Sequence, residues 1–189
     1  MTTTPREPLH PEETLRVLPH PPTAQGAVFL LLGPVGAGKS THALELAGKH
    51  RAVRLTLDDW MVRLYSPDRP DTGVVEWYQE RARRAVAQIW AVTTALVECG
   101  VNVVLELGLI VRREREQFYA LVRNAHVPLT LVVVDAPRDV RRERVQERNR
   151  TRGATFSMHV PDAIFELASD LWEAPDAVEL AEWNGERGE

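Results

Sequence analysis

Gly33, Gly38, Lys39 and Ser40 fall in the pattern Gly-x-x-x-x-Gly-Lys-Ser within the stretch GPVGAGKST, residues 33 to 41. These residue types at this spacing suit a phosphate. Glycines let successive N–H groups point into one concave nest, and a helix starting there adds partial positive charge. Lys39 would reach the β- and γ-phosphates, and the Ser40 hydroxyl would ligate Mg²⁺. The whole loop, Gly33, Pro34, Val35, Gly36, Ala37, Gly38, Lys39, Ser40 and Thr41, is thus the candidate site for a nucleoside triphosphate. The loop alone does not say where the phosphate goes, because hydrolases, motors and kinases share it.

Other residues narrow the choice. The stretch LDDW places Asp58 and Asp59 at the end of an apolar run, 19 and 20 residues after Lys39. A carboxylate there could take the proton of an attacking hydroxyl or hold a water on Mg²⁺. Asp58 is read as that group, and Asp59 as a helix cap or a substrate contact. Glu106 and Asp135 also end apolar runs. Glu106 is the expected second metal-site residue beside Ser40, since Asp135 precedes Ala136-Pro137 and capping would account for it. Seven arginines lie between Arg138 and Arg152. Arg144, Arg148 and Arg152 would share one helix face if the helix persists that far, and a mobile arginine lid could bring guanidinium donors to a phosphoryl group while excluding water. Trp60, Arg63 and Trp77 complete the candidate substrate residues.

The elements that must hold these groups can be read from periodicity. AVFLLL (27–32), AVRLTL (52–57), NVVLEL (102–107) and LTLVVVD (129–135) are short, nearly continuous apolar runs typical of strands buried on both faces. Helical patterns follow the loop at 41–50, run from Glu76 to Glu98, and recur at 112–126 with Phe118, Leu121 and Val122 facing inward. Alternating strands and helices predict a parallel sheet covered on both sides. Ligands of such sheets bind beyond the carboxyl ends of the strands, where Gly33, Asp58, Glu106 and Asp135 would meet.

Composition limits what else the chain can be. Its 189 residues, 44% of them hydrophobic, suffice for one core, and the net charge of -4 argues against a long polyanion as partner. The lone cysteine, Cys99, allows no internal disulfide, and no apolar run approaches the roughly 20 residues that span a membrane. A cytoplasmic location is expected. No N-K-x-D stretch of switch GTPases occurs, and the chain is short for a motor ATPase with a second helical domain. Six prolines before residue 24 suggest a flexible arm over 1–24, leaving one domain over 25–189. Within it a lid is expected at about 138–160 and an acidic segment at 162–189.

Together GPVGAGKST, LDDW and RNRTRG (148–153) resemble the P-loop kinase group of AAA_33-like proteins that includes polynucleotide 5′-hydroxyl kinases, chloramphenicol phosphotransferase and zeta-type toxins. The resemblance covers about residues 27 to 172. It implies a three-layer α/β/α sandwich with a five-stranded parallel sheet, ATP as donor with Mg²⁺, Asp58 as the group that activates the acceptor hydroxyl, and Arg152, helped by Arg148, as the lid residue on the transferring phosphoryl. One departure concerns the acceptor. Polynucleotide kinases have a phosphate-binding arginine three residues beyond the first aspartate, and here that position is Met61. The expected activity is therefore phosphoryl transfer from ATP to a hydroxyl of a small molecule. Alternatives are a polynucleotide 5′-kinase, a zeta-toxin-like nucleotide-sugar kinase, and a nucleotide-dependent switch or slow ATPase.

Overall fold

The computed structural model describes residues 25–153 and 156–184. The arm expected over 1–24 lies outside the described residues. Four strands form one sheet: β1 (Val28–Leu32), β2 (Val53–Thr56), β3 (Val103–Glu106) and β4 (Leu129–Val133). They run parallel in the order β2-β3-β1-β4, with Val28 opposite both Val103 and Leu129, and Thr56 opposite Glu106. The fold is the expected α/β class, but the sheet has four strands among the described residues, not five. The fifth was implied by the family resemblance, and no further apolar run in the sequence supplied it.

Side chains alternate across the sheet and so divide the core. Val28, Leu30, Leu32, Val103, Leu105, Leu129 and Leu131 face one layer, where α3 (Val74–Glu98) and α4 (Arg112–Ala125) contribute Ile89, Val97, Phe118 and Val122. Leu31, Val104 and Val134 face the other, against Ala43 of α1 (Lys39–His50). Both faces are covered, which is why the strands read as continuous apolar runs.

Two details differ from the periodicity reading. The long helix α3 begins at Val74, directly after Gly73 in a left-handed conformation, two residues before the expected Glu76. On α4, Phe118 and Val122 are buried as expected but Leu121 is 42% exposed. The inward stripe of α4 runs instead through Arg115, Phe118, Tyr119 and Val122. A charged residue takes a core position, and apolar spacing cannot reveal that.

The chain after β4 forms α5 (Arg138–Thr151), α6 (Asp162–Asp170) and α7 (Ala177–Asn184). The expected acidic segment is thus largely helical and docks by charge. Arg115 donates to both carboxylate oxygens of Glu179 at 2.6 and 3.0 Å, and the Tyr119 hydroxyl donates to the same group at 2.6 Å. Arg112 pairs with Asp176 at 2.5 Å, and Arg123 pairs with Glu182. No helix among the described residues is long and apolar enough to cross a membrane.

Candidate active site

The phosphate loop joins β1 to α1 and is pressed between β4 and α5. Gly33 has φ 152°, and a Cβ there would stand 2.0 Å from the Val134 carbonyl oxygen. Gly36 has φ 79°, and a Cβ there would stand 2.5 Å from the Arg141 carbonyl oxygen. Only glycine fits either position without displacing backbone. Arg141, itself 6% exposed, donates to the carbonyls of Ala136 and Val35 and to Ser169 Oγ, binding the loop to α5 and α6. Arg144 donates to the Ala37 carbonyl at 3.1 Å.

Lys39 opens α1. Its Nζ donates to the carbonyls of Gly33 and Pro34 at 2.8 and 2.9 Å. Burial pushes its ammonium down to about 8, against the opposing pull of Asp58 and Glu106, while Arg148 and Arg141 add to the lowering. The next residue, Ser40, donates to Glu106 Oε2 at 2.9 Å. Glu106 closes β3, is 8% exposed, and takes a 2.6 Å hydrogen bond from Arg54 Nε on β2. Ser40 and Glu106, proposed from sequence as neighbours at a metal, are thus brought into contact by the sheet.

Asp58 lies in α2 (Leu57–Trp60), the single turn that follows β2. Its residue surface meets solvent at the cleft. The protein around the carboxylate nonetheless strips enough water to raise its pKa, a shift that Glu106 and Asp59 reinforce and that Lys39 and Arg148 oppose. Lys39, Asp58, Glu106 and Arg148 therefore act on one another at the carboxyl edge of the sheet.

Asp59 does not cap the helix. Thr56 does so, its hydroxyl accepting from the Asp59 N–H at 3.4 Å. The Asp59 carboxylate instead accepts from Ser157 Oγ at 3.1 Å and stands 3.8 Å from Arg54. Asp135 caps nothing beyond its neighbour: it accepts from the Ala136 N–H, and α5 starts after Pro137. After α2 the chain widens into a π-turn (Met61–Tyr65) and a 3₁₀ turn (Ser66–Asp68). Trp60 and Trp77 pack against the main core with one side, and Arg81 lies over the Trp77 ring at 4.6 Å. Arg63 is exposed on the π-turn.

The arginine face of α5 needs a correction. The helix ends at Thr151, and Arg152 is its left-handed cap at φ 49°. It points along the surface over the Phe156 ring at 5.6 Å and does not share the stripe of Arg144 and Arg148. Arg148 is the residue that turns inward. Its Nε is buried without a hydrogen-bond partner, and burial lowers its pKa against the pull of Asp58. Arg141 and Arg144, given no catalytic role from the sequence, hold the phosphate loop. Their four-residue and seven-residue spacing ahead of Arg148 is the available signal, since i, i+3 and i+7 share a face.

A phosphate loop at the end of a central strand, with Glu106 ending the strand beside it and Asp58 following the strand beyond that, defines a P-loop nucleotide-binding protein of the kinase fold. The chain belongs to the AAA_33 family (AAA domain), whose profile matches residues 28–175. No curated protein matches it by sequence. Among solved structures it is similar to a chain of the Pnkp1/Rnl/Hen1 RNA repair complex, with TM-score 0.61 and 19% identity over 78% of this chain. It spans 44% of that longer chain. It is also similar to Chaetomium thermophilum Kti12 in complex with ADP-AlF3 (TM-score 0.60, 20% identity, 80% and 82% of the two chains). A third likeness is to the Mycobacterium tuberculosis APS kinase CysC in complex with AMPPNP and APS (0.53, 20%, 86% and 99%). At these identities the likeness is one of fold.

Proposed function

We propose that the protein is an ATP-dependent kinase that transfers the γ-phosphoryl group to a hydroxyl of a small-molecule acceptor. The observation that carries this reading is the place of Asp58 in the turn that follows β2, at the carboxyl edge of the sheet, where the charges of Lys39, Glu106 and Arg148 bear on it. A bare hydrolase needs no carboxylate held above its ordinary pKa beside the phosphate loop. A base for an alcohol does. The similar folds that hold ADP-AlF3 and AMPPNP support ATP as the donor.

The residues present fit a magnesium ion. Ser40 Oγ and Glu106 Oε2 are hard oxygen donors 2.9 Å apart, close to the roughly 3.0 Å edge of an octahedron with ~2.1 Å bonds. Among the described residues no three His, Cys, Asp or Glu gather that could hold a metal unaided, so such an ion would be shared with the phosphates. When bound it supplies charge neutralisation. Arg54 keeps Glu106 turned towards Ser40. Lys39 would leave its two loop carbonyls for the phosphates, and Asp58 would accept the acceptor's proton as the new oxygen–phosphorus bond forms and the bond to ADP breaks. Arg148 would meet the charge on the moving phosphoryl, since its buried Nε has no hydrogen-bond partner among the described residues. We assign residues 25–189 to one kinase domain, with α5 and the chain to residue 160 as its lid. Met61 is 2% exposed and lies in the core, so the position of the phosphate-binding arginine in polynucleotide kinases cannot serve that role here.

The test is ATP-dependent phosphorylation across a panel of small alcohols, with Asp58→Asn as control. Product formation retained in that variant would sink the proposed base. Arg148→Ala should lower turnover by ~10²-fold, the usual effect of losing one donor to developing charge, while Arg152→Ala should change it little. ADP release by each variant checks this, and the reverse order would restore Arg152 to the site. The lowered Lys39 pKa makes a further prediction. A lysine at about 8 in the free protein is partly neutral at pH 8 to 9, and phosphates would recharge it. ATP binding in that window should take up protons and weaken as pH rises. Calorimetry in two buffers of different ionisation enthalpy measures the uptake.

A further inference from the structure

Five side chains, each from a different element or loop, form one continuous line beside the phosphate loop. Ser157, in the stretch after α5, donates to Asp59 Oδ1 of α2 at 3.1 Å. The other oxygen of that carboxylate, Oδ2, stands 3.8 Å from Arg54 Nη1 on β2. Arg54 Nε donates at 2.6 Å to Glu106 Oε1 at the end of β3, and Glu106 Oε2 accepts from Ser40 Oγ of α1 at 2.9 Å. Each carboxylate thus turns one oxygen to Arg54 and the other to a hydroxyl.

The outer end of this line is fastened to the arginine helix. The Asn149 amide donates to the Val160 carbonyl at 2.8 Å, and its oxygen accepts from the Val160 N–H at 3.1 Å. Val160 also packs with Val145 of α5 and Phe165 of α6. Two hydrogen bonds from one side chain to one residue leave the stretch 156–160 little freedom to shift against α5. Asn149 directly follows Arg148, so whatever holds Ser157 also holds the part of α5 that carries Arg148.

Arg54 is where the line can respond. Its bond to Glu106 is short and its contact with Asp59 is loose, and it is itself only 21% exposed, so neither pull is fully screened. A cation held by Ser40 and Glu106 would offset the Glu106 charge and repel the guanidinium, which shifts the balance towards Asp59.

We propose that Asp59 and Arg54 are positioning residues that link the Ser40–Glu106 pair to the arginine helix, so that binding a metal-loaded nucleotide and seating Arg148 favour one another. This rests on the reading of Ser40 and Glu106 as the metal pair and of Arg148 as the phosphoryl-binding arginine. An Asp59 carboxylate held more firmly by Arg54 is a better fixed acceptor for Ser157. Linkage is reciprocal, so the Ser157 contact must tighten the loaded nucleotide by the same factor. A nucleotide without its metal gains nothing from the contact, because Glu106 then keeps its hold on Arg54.

The affinity of the full chain for a non-hydrolysable ATP analogue, measured by calorimetry with Mg²⁺ and again with EDTA, gives a ratio that reads this link. Ser157→Ala should lower the ratio about fivefold, the low end of coupling between linked sites, and Ser157→Thr, which keeps the hydroxyl, should restore it. Asp59→Ala should lower it equally, and both changes together should do no more than either, since they break one link. A residue that merely supported the fold would weaken both forms alike and leave the ratio intact. Amide exchange over 156–160 should slow when the parent binds the loaded analogue, and should not slow in Ser157→Ala. A ratio unchanged by Ser157→Ala, effects that add in the double variant, or exchange in the parent indifferent to the loaded analogue would overturn the inference and leave the kinase reading standing. A parent that binds the analogue in neither condition would overturn both.

Discussion

Replacing Lys39 with alanine is expected to reduce turnover by ~10³-fold or more while leaving the melting temperature unchanged or slightly raised. The first half follows from transition-state electrostatics. Lys39 is the cation proposed to meet the β- and γ-phosphates, and removing a preorganised donor from a water-poor site typically costs two to three orders of magnitude in rate. The second half follows from the sign of its pKa shift. Lys39 falls from 10.5 to about 8 on folding, so the unfolded chain binds its proton more tightly than the native protein does. Its charge therefore opposes folding at neutral pH, and that opposition is relieved as pH rises from about 8 to 10.5. Alanine removes it at every pH. Two hydrogen bonds to the carbonyls of the buried residues Gly33 and Pro34 are lost in exchange, which offsets part of that relief. Turnover by ADP release and melting by calorimetry should thus part company. A fall of many degrees alongside the loss of activity would show that Lys39 holds the loop together, and would remove the ground for assigning it to phosphate.

Glu179→Ala should have the opposite profile, with a large effect on stability. Arg115 is wholly buried, and Glu179, 6% exposed, accepts from it and from Tyr119. Removing the carboxylate strands a buried guanidinium and a phenol, a change that costs about 3–5 kcal/mol and, at this chain length, roughly 6–20 °C in melting temperature. Replacing both ends of the pair, Arg115→Met with Glu179→Leu, should recover most of the loss, because apolar side chains of similar volume do not need partners. A single variant as stable as the parent would mean that α7 is not held by this pair. The pH dependence has a definite direction. Burial pushes the Glu179 carboxyl up, but the bonds from Arg115 and Tyr119 outweigh it and hold the pKa below its ordinary value. Its contribution is therefore present above the normal carboxylate range and lost as acid titrates the folded group. Proteolysis within α7 should become easier over that range.

What the sequence disclosed and what it concealed divide along one physical line. The phosphate loop, the four strands and the carboxylates at their ends were legible because each is a local pattern: apolar runs for buried strands, glycines where backbone passes backbone, acids where a run stops. Arg115 and Glu179 were not legible, since each looks like a surface charge until a partner about 60 residues away cancels it. The same holds for Arg141, which reads as one of seven solvated arginines and is instead the tie between loop and helix. The separation of Arg152 from the face of Arg144 and Arg148 has a narrower cause. The helix ends at Thr151 and a non-glycine residue takes the left-handed cap, which turns Arg152 off the stripe. The expected fifth strand came from family likeness rather than from residues.

The close packing of Gly36 against the Arg141 carbonyl makes α5 a ruler clamped at its zero mark. Arg148 lies seven residues along it, about 10 Å at 1.5 Å per residue and almost two full turns. Its reach into the cleft is therefore fixed by chain count and not by adjustment of the loop. One residue inserted between the two arginines would swing the guanidinium about 100° around the helix axis without loosening the clamp. The tolerance of this segment to change is accordingly asymmetric: substitutions on its outer face alter only charge, whereas a change in its length resets which side chain stands over the phosphate.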